Sequence, residues 1–154
     1  MIVLCRVDHR LLHGQVAFSW TNALGADCIL VADDDVVNDD MWKTTLKLAK
    51  PANVKLVIKN VEDAITALNS GVTDKYQLLI VVRTIDVAYQ LAQACPQIKS
   101  INLGGTKKEG DDEQISKAIF VSDADKKKLK ALVDAGTEVE IRMLSSDSKQ
   151  VVKL

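Results

Sequence analysis

Short β-branched and aliphatic runs recur along the chain: "IVLCRV" (2–7), "DCILVA" (27–32), "NVKLVI" (53–58), "QLLIVV" (77–82), "IKSINL" (98–103), "QISKAIF" (114–120) and "EVEIRML" (138–144). Several are almost wholly apolar, as strands covered on both faces must be. Between them the spacing predicts helices over roughly 14–24, 39–49, 61–69, 85–94 and 123–135. In the second, Met41, Thr45, Leu46, Leu48 and Ala49 are expected to share one face.

The punctuation agrees with this division. Asn60 with Asp63, and Ser122 with Asp125, have capping-box spacing. Gly25, Gly71 and Gly136 stand where helices should stop, and Pro51 and Pro96 fall in connections. Alternating strands and helices with short links predict an α/β fold: a three-layer α/β/α sandwich around a mostly parallel sheet of about six to seven strands. With no repeat or linker, residues 1–154 read as one domain. "GGTKKEGDDE" (104–113) is expected to be a long mobile loop, and "SSDSKQVVKL" at the C-terminus is ambiguous. Ligands of such sheets bind beyond the carboxyl ends of the strands. That rule selects segments 8–13, 33–38, 59–60, 83–84 and 104–113.

Composition narrows the function classes. A formal net charge of −1 and 4% aromatic residues provide neither a basic field nor stacking platforms, so nucleic acid is not an expected partner. No apolar run approaches the ~20 residues of a membrane helix, and the N-terminus lacks the features of a signal peptide. Cys5, Cys28 and Cys95 are an odd set without CxxC spacing, expected as buried reduced thiols of a cytoplasmic protein.

The chemistry concentrates in "RVDHRLLHGQV" (6–16), which holds both histidines of the chain, His9 and His13. Segment 8–13 leaves the first strand and enters a helix near His13 and Gly14. A helix start offers unpaired amides and a positive end, here from Leu12 to Gln15. Arg10 adds a forked cation suited to phosphate oxygens. A neutral imidazole at that position could attack phosphorus, and Asp8 could fix its tautomer. The turn lacks the glycines of a dinucleotide loop and the lysine of a P-loop.

This segment closely resembles the active-site segment of enzyme IIB proteins of the mannose/fructose/sorbose family in the bacterial sugar phosphotransferase system (PTS). Their usual form is Arg-(Ile/Val)-Asp-Asp-Arg-Leu-(Ile/Leu)-His-Gly-Gln-Val. The resemblance continues through "ADDDVVNDD" (32–40), "LKLAKPANVKLVI" (46–58), "VVRTIDVA" (81–88), "INLGG" (101–105) and "QISKAIFVSDAD" (114–125). It implies a phosphocarrier with the sandwich fold. His13, in the His-Gly-Gln motif, would accept a phosphoryl group from a phosphohistidine of a IIA protein or domain. It would pass the group to a sugar entering through membrane IIC and IID subunits, so the protein would be peripheral to the inner face of the membrane. Arg10, Asp8, Leu12, Gly14 and Gln15 would bind or orient the phosphate, with no metal or other cofactor. Family members use the Nδ1 nitrogen, which this sequence alone does not show.

One position departs from the pattern: His9 stands where the family usually has Asp, which gives it a tuning or partner-contact role or none. Asp33, Asp34, Thr84, Gly104 and Gly105 are candidates for the rim of the site, Thr84 as a helix cap. The acidic run 33–40 also admits a magnesium reading, set against Asn38 capping the second helix with Asp39 and Asp40 at its positive end. Two rivals remain open: a receiver-like domain phosphorylated on aspartate, and a non-catalytic sugar- or nucleotide-binding module. Mannose, fructose, sorbose and N-acetylated amino sugars are all compatible, with a slight preference for amino sugars such as N-acetylgalactosamine. A homo-oligomer is neither required nor excluded.

Overall fold

The computed structural model describes residues 1–152; Lys153 and Leu154, at the end of the ambiguous C-terminal run, lie outside the described residues. In chain order the elements are β1 (Ile2–Asp8), α1 (Gly14–Leu24), β2 (Cys28–Ala32), a 3-10 turn (Val36–Asn38), α2 (Asp40–Ala49), β3 (Lys55–Lys59), α3 (Val61–Ser70) and β4 (Leu78–Val82). They continue with α4 (Ile85–Ala94), β5 (Ser100–Gly105), β6 (Glu113–Ser116), β7 (Ile119–Val121), α5 (Asp123–Asp134), β8 (Glu138–Ile141) and β9 (Gln150–Val151). The main sheet has seven strands in the order β3-β2-β4-β1-β5-β8-β9. It is parallel except for β9, which runs antiparallel to β8 along one edge. The fold is the α/β sandwich expected from the alternation.

The two faces of the sheet have separate cores. Cys5, Val7, Leu30, Ile80, Val82 and Ile101 pack under α3, α4 and α5. Leu4, Ile29, Val31, Leu79 and Val81 pack under α1 and α2, with Leu11, Leu12, Trp20 and Leu46. Burial of one such side chain contributes roughly 1.5–3 kcal/mol. The α1/α2 face is divided. One row runs across the strands in register as Ile58, Val31, Val81, Arg6, Asn102 and Glu140. Its first half is apolar; its second half is polar, with Arg6, Asn102 and Glu140 all at most 2% exposed. Trp20 of α1 stacks on the guanidinium groups of both Arg6 and Arg142, 5.2 and 4.8 Å from its ring centre.

Four expectations need correction. "QISKAIF" is not one strand but the hairpin β6–β7, reversing at Lys117 and Ala118, where the Ala118 carbonyl accepts from the Thr106 amide. No glycine, proline or asparagine marks that turn. The loop over 104–113 is shorter than expected, because Gly104 and Gly105 complete β5 and Glu113 begins β6. The buried face of α2 is Trp42, Leu46 and Ala49, while Met41 and Leu48 are exposed. The expected face had merged this stripe with the adjacent one, since positions 41, 45 and 48 lie one helical step from 42, 46 and 49. The cap of α2 is Asp39, which accepts from the Trp42 amide, rather than Asn38. Elsewhere the capping box of Ser122 and Asp125 is complete, and Asn60 caps α3 through the Asp63 amide.

Candidate functional site

Strand β1 ends at Asp8, and the next five residues turn the chain into α1. Leu11 adopts φ 60° and Gly14 φ 42°. For leucine that conformation costs about 1–3 kcal/mol. It is held because Leu11 and Leu12 are both buried in the α1/α2 core, and because the Leu11 amide bonds the Asp8 carbonyl at 2.8 Å. Leu12 can therefore offer the site its backbone amide rather than its side chain.

This turn aims His13 at Asp8: Nε2 lies 2.8 Å from Oδ2. An ionised carboxylate only accepts, so in the neutral ring Nε2 carries the proton and the lone pair is on Nδ1. Asp8 is 1% exposed and is itself held. Its Oδ2 also accepts from Arg6 Nη2 at 3.1 Å, and its Oδ1 accepts from the Arg10 amide at 3.0 Å. Burial lowers the pKa of Arg6 from its usual value, opposed by its pairing with Asp8. Arg10 is half exposed, with Nε 3.9 Å from Asp8 Oδ1.

The start of α1 differs from that of the other helices. Side chains of Asp39, Asn60, Thr84 and Ser122 cap α2, α3, α4 and α5, whereas His13 at the start of α1 makes no cap bond and no acid lies in the first turn. Without a side-chain acceptor, the first amides of α1, including that of Gln15, can receive an anion beside His13.

The remaining candidates divide. The His9 amide donates to the Gly105 carbonyl at 3.0 Å, and His9 lines a cavity of about 710 Å³. Trp42, Arg83, Thr84, Thr106 and Lys107 line that cavity with His9, and His13 does not. Thr84 reaches the cavity while capping α4 through the Val87 amide. Asp33 is buried and committed to the amides of Asp35 and Val36 and to Arg83. Asp34 accepts from the Val61 amide at the start of α3. Both aspartates thus have structural work, and among the described residues no cluster of metal-ligating side chains forms. Gly104 lies against Arg6: a Cβ added there would meet its guanidinium at 2.1–2.3 Å.

Sequence reasoning missed the polar half of the row. Arg6 donates to Asn102 Oδ1 and to the Arg142 carbonyl, Asn102 Nδ2 donates to Glu140 Oε1, and Arg142 pairs with the same oxygen. The available signal was a charged residue flanked on both sides by aliphatic ones within a strand, as Arg6 in "IVLCRVD" and Glu140 in "EVEI".

The protein is thus a mostly parallel α/β sandwich with a histidine held by a buried aspartate at its first strand exit. The chain belongs to the family described as the sorbose subfamily IIB component of the PTS system, whose model matches residues 2–153. It is 33% identical over 149 residues to the fructose-specific EIIB component of Bacillus subtilis, covering 97% of this chain and 91% of that protein. It is 30% identical to the mannose-specific EIIAB component of Escherichia coli, covering 97% of this chain and 46% of that longer protein. The crystal structure of the N-acetylgalactosamine-specific IIB component 1 of Escherichia coli superposes with a TM-score of 0.92 at 27% identity, over 99% of this chain and all of that one. Membership makes the chain a sugar-PTS component with a transferase role. Among the described residues no helix is long and apolar enough to cross a membrane.

Proposed function

We propose that the chain is a phosphocarrier in which His13 Nδ1 accepts a phosphoryl group from a phosphohistidine of a IIA partner. It then delivers the group to a sugar held by the IIC and IID membrane subunits, working at the inner face of the membrane through those partners. The contact between His13 Nε2 and Asp8 Oδ2 carries this reading, because it leaves Nδ1 as the nucleophile.

In the forward step the Nδ1 lone pair forms a bond to phosphorus as the donor's P–N bond breaks. The positive charge that develops on the ring is compensated by Asp8 through the retained Nε2–H. Arg10 and the uncapped amides of α1 around Gly14 and Gln15 supply charge and donors for the three equatorial oxygens, so the step requires no metal or cofactor. In delivery a sugar hydroxyl oxygen bonds to phosphorus as the His13 P–N bond breaks; Nδ1 regains its lone pair, and the hydroxyl proton passes to a base on the sugar-binding subunit or to water. His9, facing the cavity, tunes the site or contacts a partner.

Incubation with phosphorylated IIA should add one phosphoryl group, acid-labile and mapped to His13. His13→Ala should abolish the mass gain and His9→Ala should retain it. Labelling lost in His9→Ala but kept in His13→Ala, or an acid-stable adduct on an aspartate, would overturn the assignment.

A further inference from the structure

We infer that Glu140, acting through Asn102 and Arg6, is a positioning residue that sets how strongly Asp8 holds the His13 ring, with Arg142 as its counterweight. This inference rests on His13 being the phosphoryl acceptor.

Two anions and two cations alternate along the chain of contacts that runs through the polar half of the row: Asp8, Arg6, then through Asn102 to Glu140 and Arg142. Arg6 is shared, one nitrogen on Asp8 and the other on Asn102. Asn102 can face only one way, because its oxygen must accept from an arginine and its nitrogen must donate to a carboxylate. The amide therefore links the two charges. Arg6, Asp8, Asn102 and Glu140 are each at most 2% exposed, so water and salt screen them poorly.

Packing alone does not call for these charges. The same row is apolar across Ile58, Val31 and Val81, and buried ion pairs are often no more stabilising than apolar side chains of similar volume. The polar half is the half whose Arg6 pairs with Asp8. His13 is faced by Asp8, with Arg10 and His9 as the other charged or titratable groups at this turn. Glu140 is faced by Asn102 and Arg142, with Trp20 covering the arginines from α1 and Val151 opposite in β9.

The two ends of the row give opposite expectations. Glu140→Gln keeps size and the accepting oxygen but removes the second anion acting on Arg6, so Arg6 pairs more fully with Asp8 and Asp8 holds His13 less strongly. The His13 ring titration, followed by NMR of the unphosphorylated protein, should move down by about half a pH unit. Arg142→Gln leaves Glu140 free to draw on Arg6, and the titration should move up by a similar amount. The acid limb of phosphoryl uptake should follow each shift. Both variants lose stability, so stability cannot produce opposite signs.

Unchanged midpoints, or shifts of the same sign, would overturn the inference and leave the row as scaffold. If Glu140→Gln does not fold, the partly exposed Arg142→Gln decides alone: an upward shift supports the inference and any other result overturns it. A parent protein that takes no phosphoryl group would defeat the acceptor reading instead, which the ring titration does not require.

Discussion

Replacing Gly104 with alanine places a methyl carbon where the Arg6 guanidinium lies. The added Cβ would stand 2.1 Å from the guanidinium carbon and 2.2–2.3 Å from its terminal nitrogens, against about 3.4 Å for ordinary contact. Arg6 must retreat by about 1.3 Å, the difference of those distances. Its bond to Asp8 is already 3.1 Å and that to the Arg142 carbonyl 3.1 Å, so a retreat of that size breaks both. Hydrogen bonds to charged groups are worth about 1.5–3 kcal/mol each, giving a loss of roughly 3–6 kcal/mol for the two. For a domain of this size that lowers Tm by on the order of 10 °C.

Gly105→Ala is the control. Its nearest neighbour would be His9 Nδ1 at 3.5 Å, an ordinary contact, and the expected loss is below about 1 kcal/mol. Thermal unfolding of the two variants, with phosphoryl uptake measured on each at a temperature where it is folded, separates the cases. Gly104→Ala should fall in both assays and Gly105→Ala in neither. Equal stability of the two variants would refute the placement of Arg6.

Asp8→Asn keeps the shape of the side chain but removes the anion that pairs Arg6 and compensates the His13 ring. Phosphoryl uptake should fall by about a hundredfold and stability by roughly 3–5 kcal/mol, read from single-turnover labelling and denaturant unfolding. Burial raises the Cys5 thiol to about 12 from 9.0, with Cys95 adding to the effect. Its folded state therefore holds a proton that the unfolded state releases. The contribution is intact below pH 9 and declines by up to about 1.4 kcal/mol per unit between the two values, so Cys5→Ala should flatten the alkaline slope of stability measured by denaturant titration. At Leu11, alanine loses the buried side chain and keeps the backbone strain, whereas glycine loses the side chain and relieves the strain. Leu11→Gly should unfold at no lower denaturant concentration than Leu11→Ala, reversing the usual order in which glycine is the worse residue.

The order of strands and helices was legible because each apolar run is covered on both faces, and because glycines and caps interrupt the chain at true ends, as at Gly25 and Ser122. The hairpin at 113–121 was not, because Lys117 and Ala118 turn without any residue that demands a turn, and Thr106 of the neighbouring segment closes it. The α2 face was misjudged because Met41 and Leu48 are apolar yet unpartnered, and periodicity alone cannot choose between adjacent stripes. At the site, His13, Asp8 and Arg10 were readable from one contiguous segment. Asn102, Glu140 and Arg142 were not, because they meet Arg6 only through strand register across more than ninety residues of chain.

The sheet also ends in a particular way at each border. On one side β3 begins and ends with lysines, Lys55 and Lys59; on the other, the two-residue β9 runs against β8. Lysines obstruct strand addition at the first border, and the second is too short to template a foreign strand. Neither border invites a neighbour to zip on and stay. Under the proposed carrier role, a partner at either border of this sheet would hold it by side chains rather than by a shared strand, a grip suited to release.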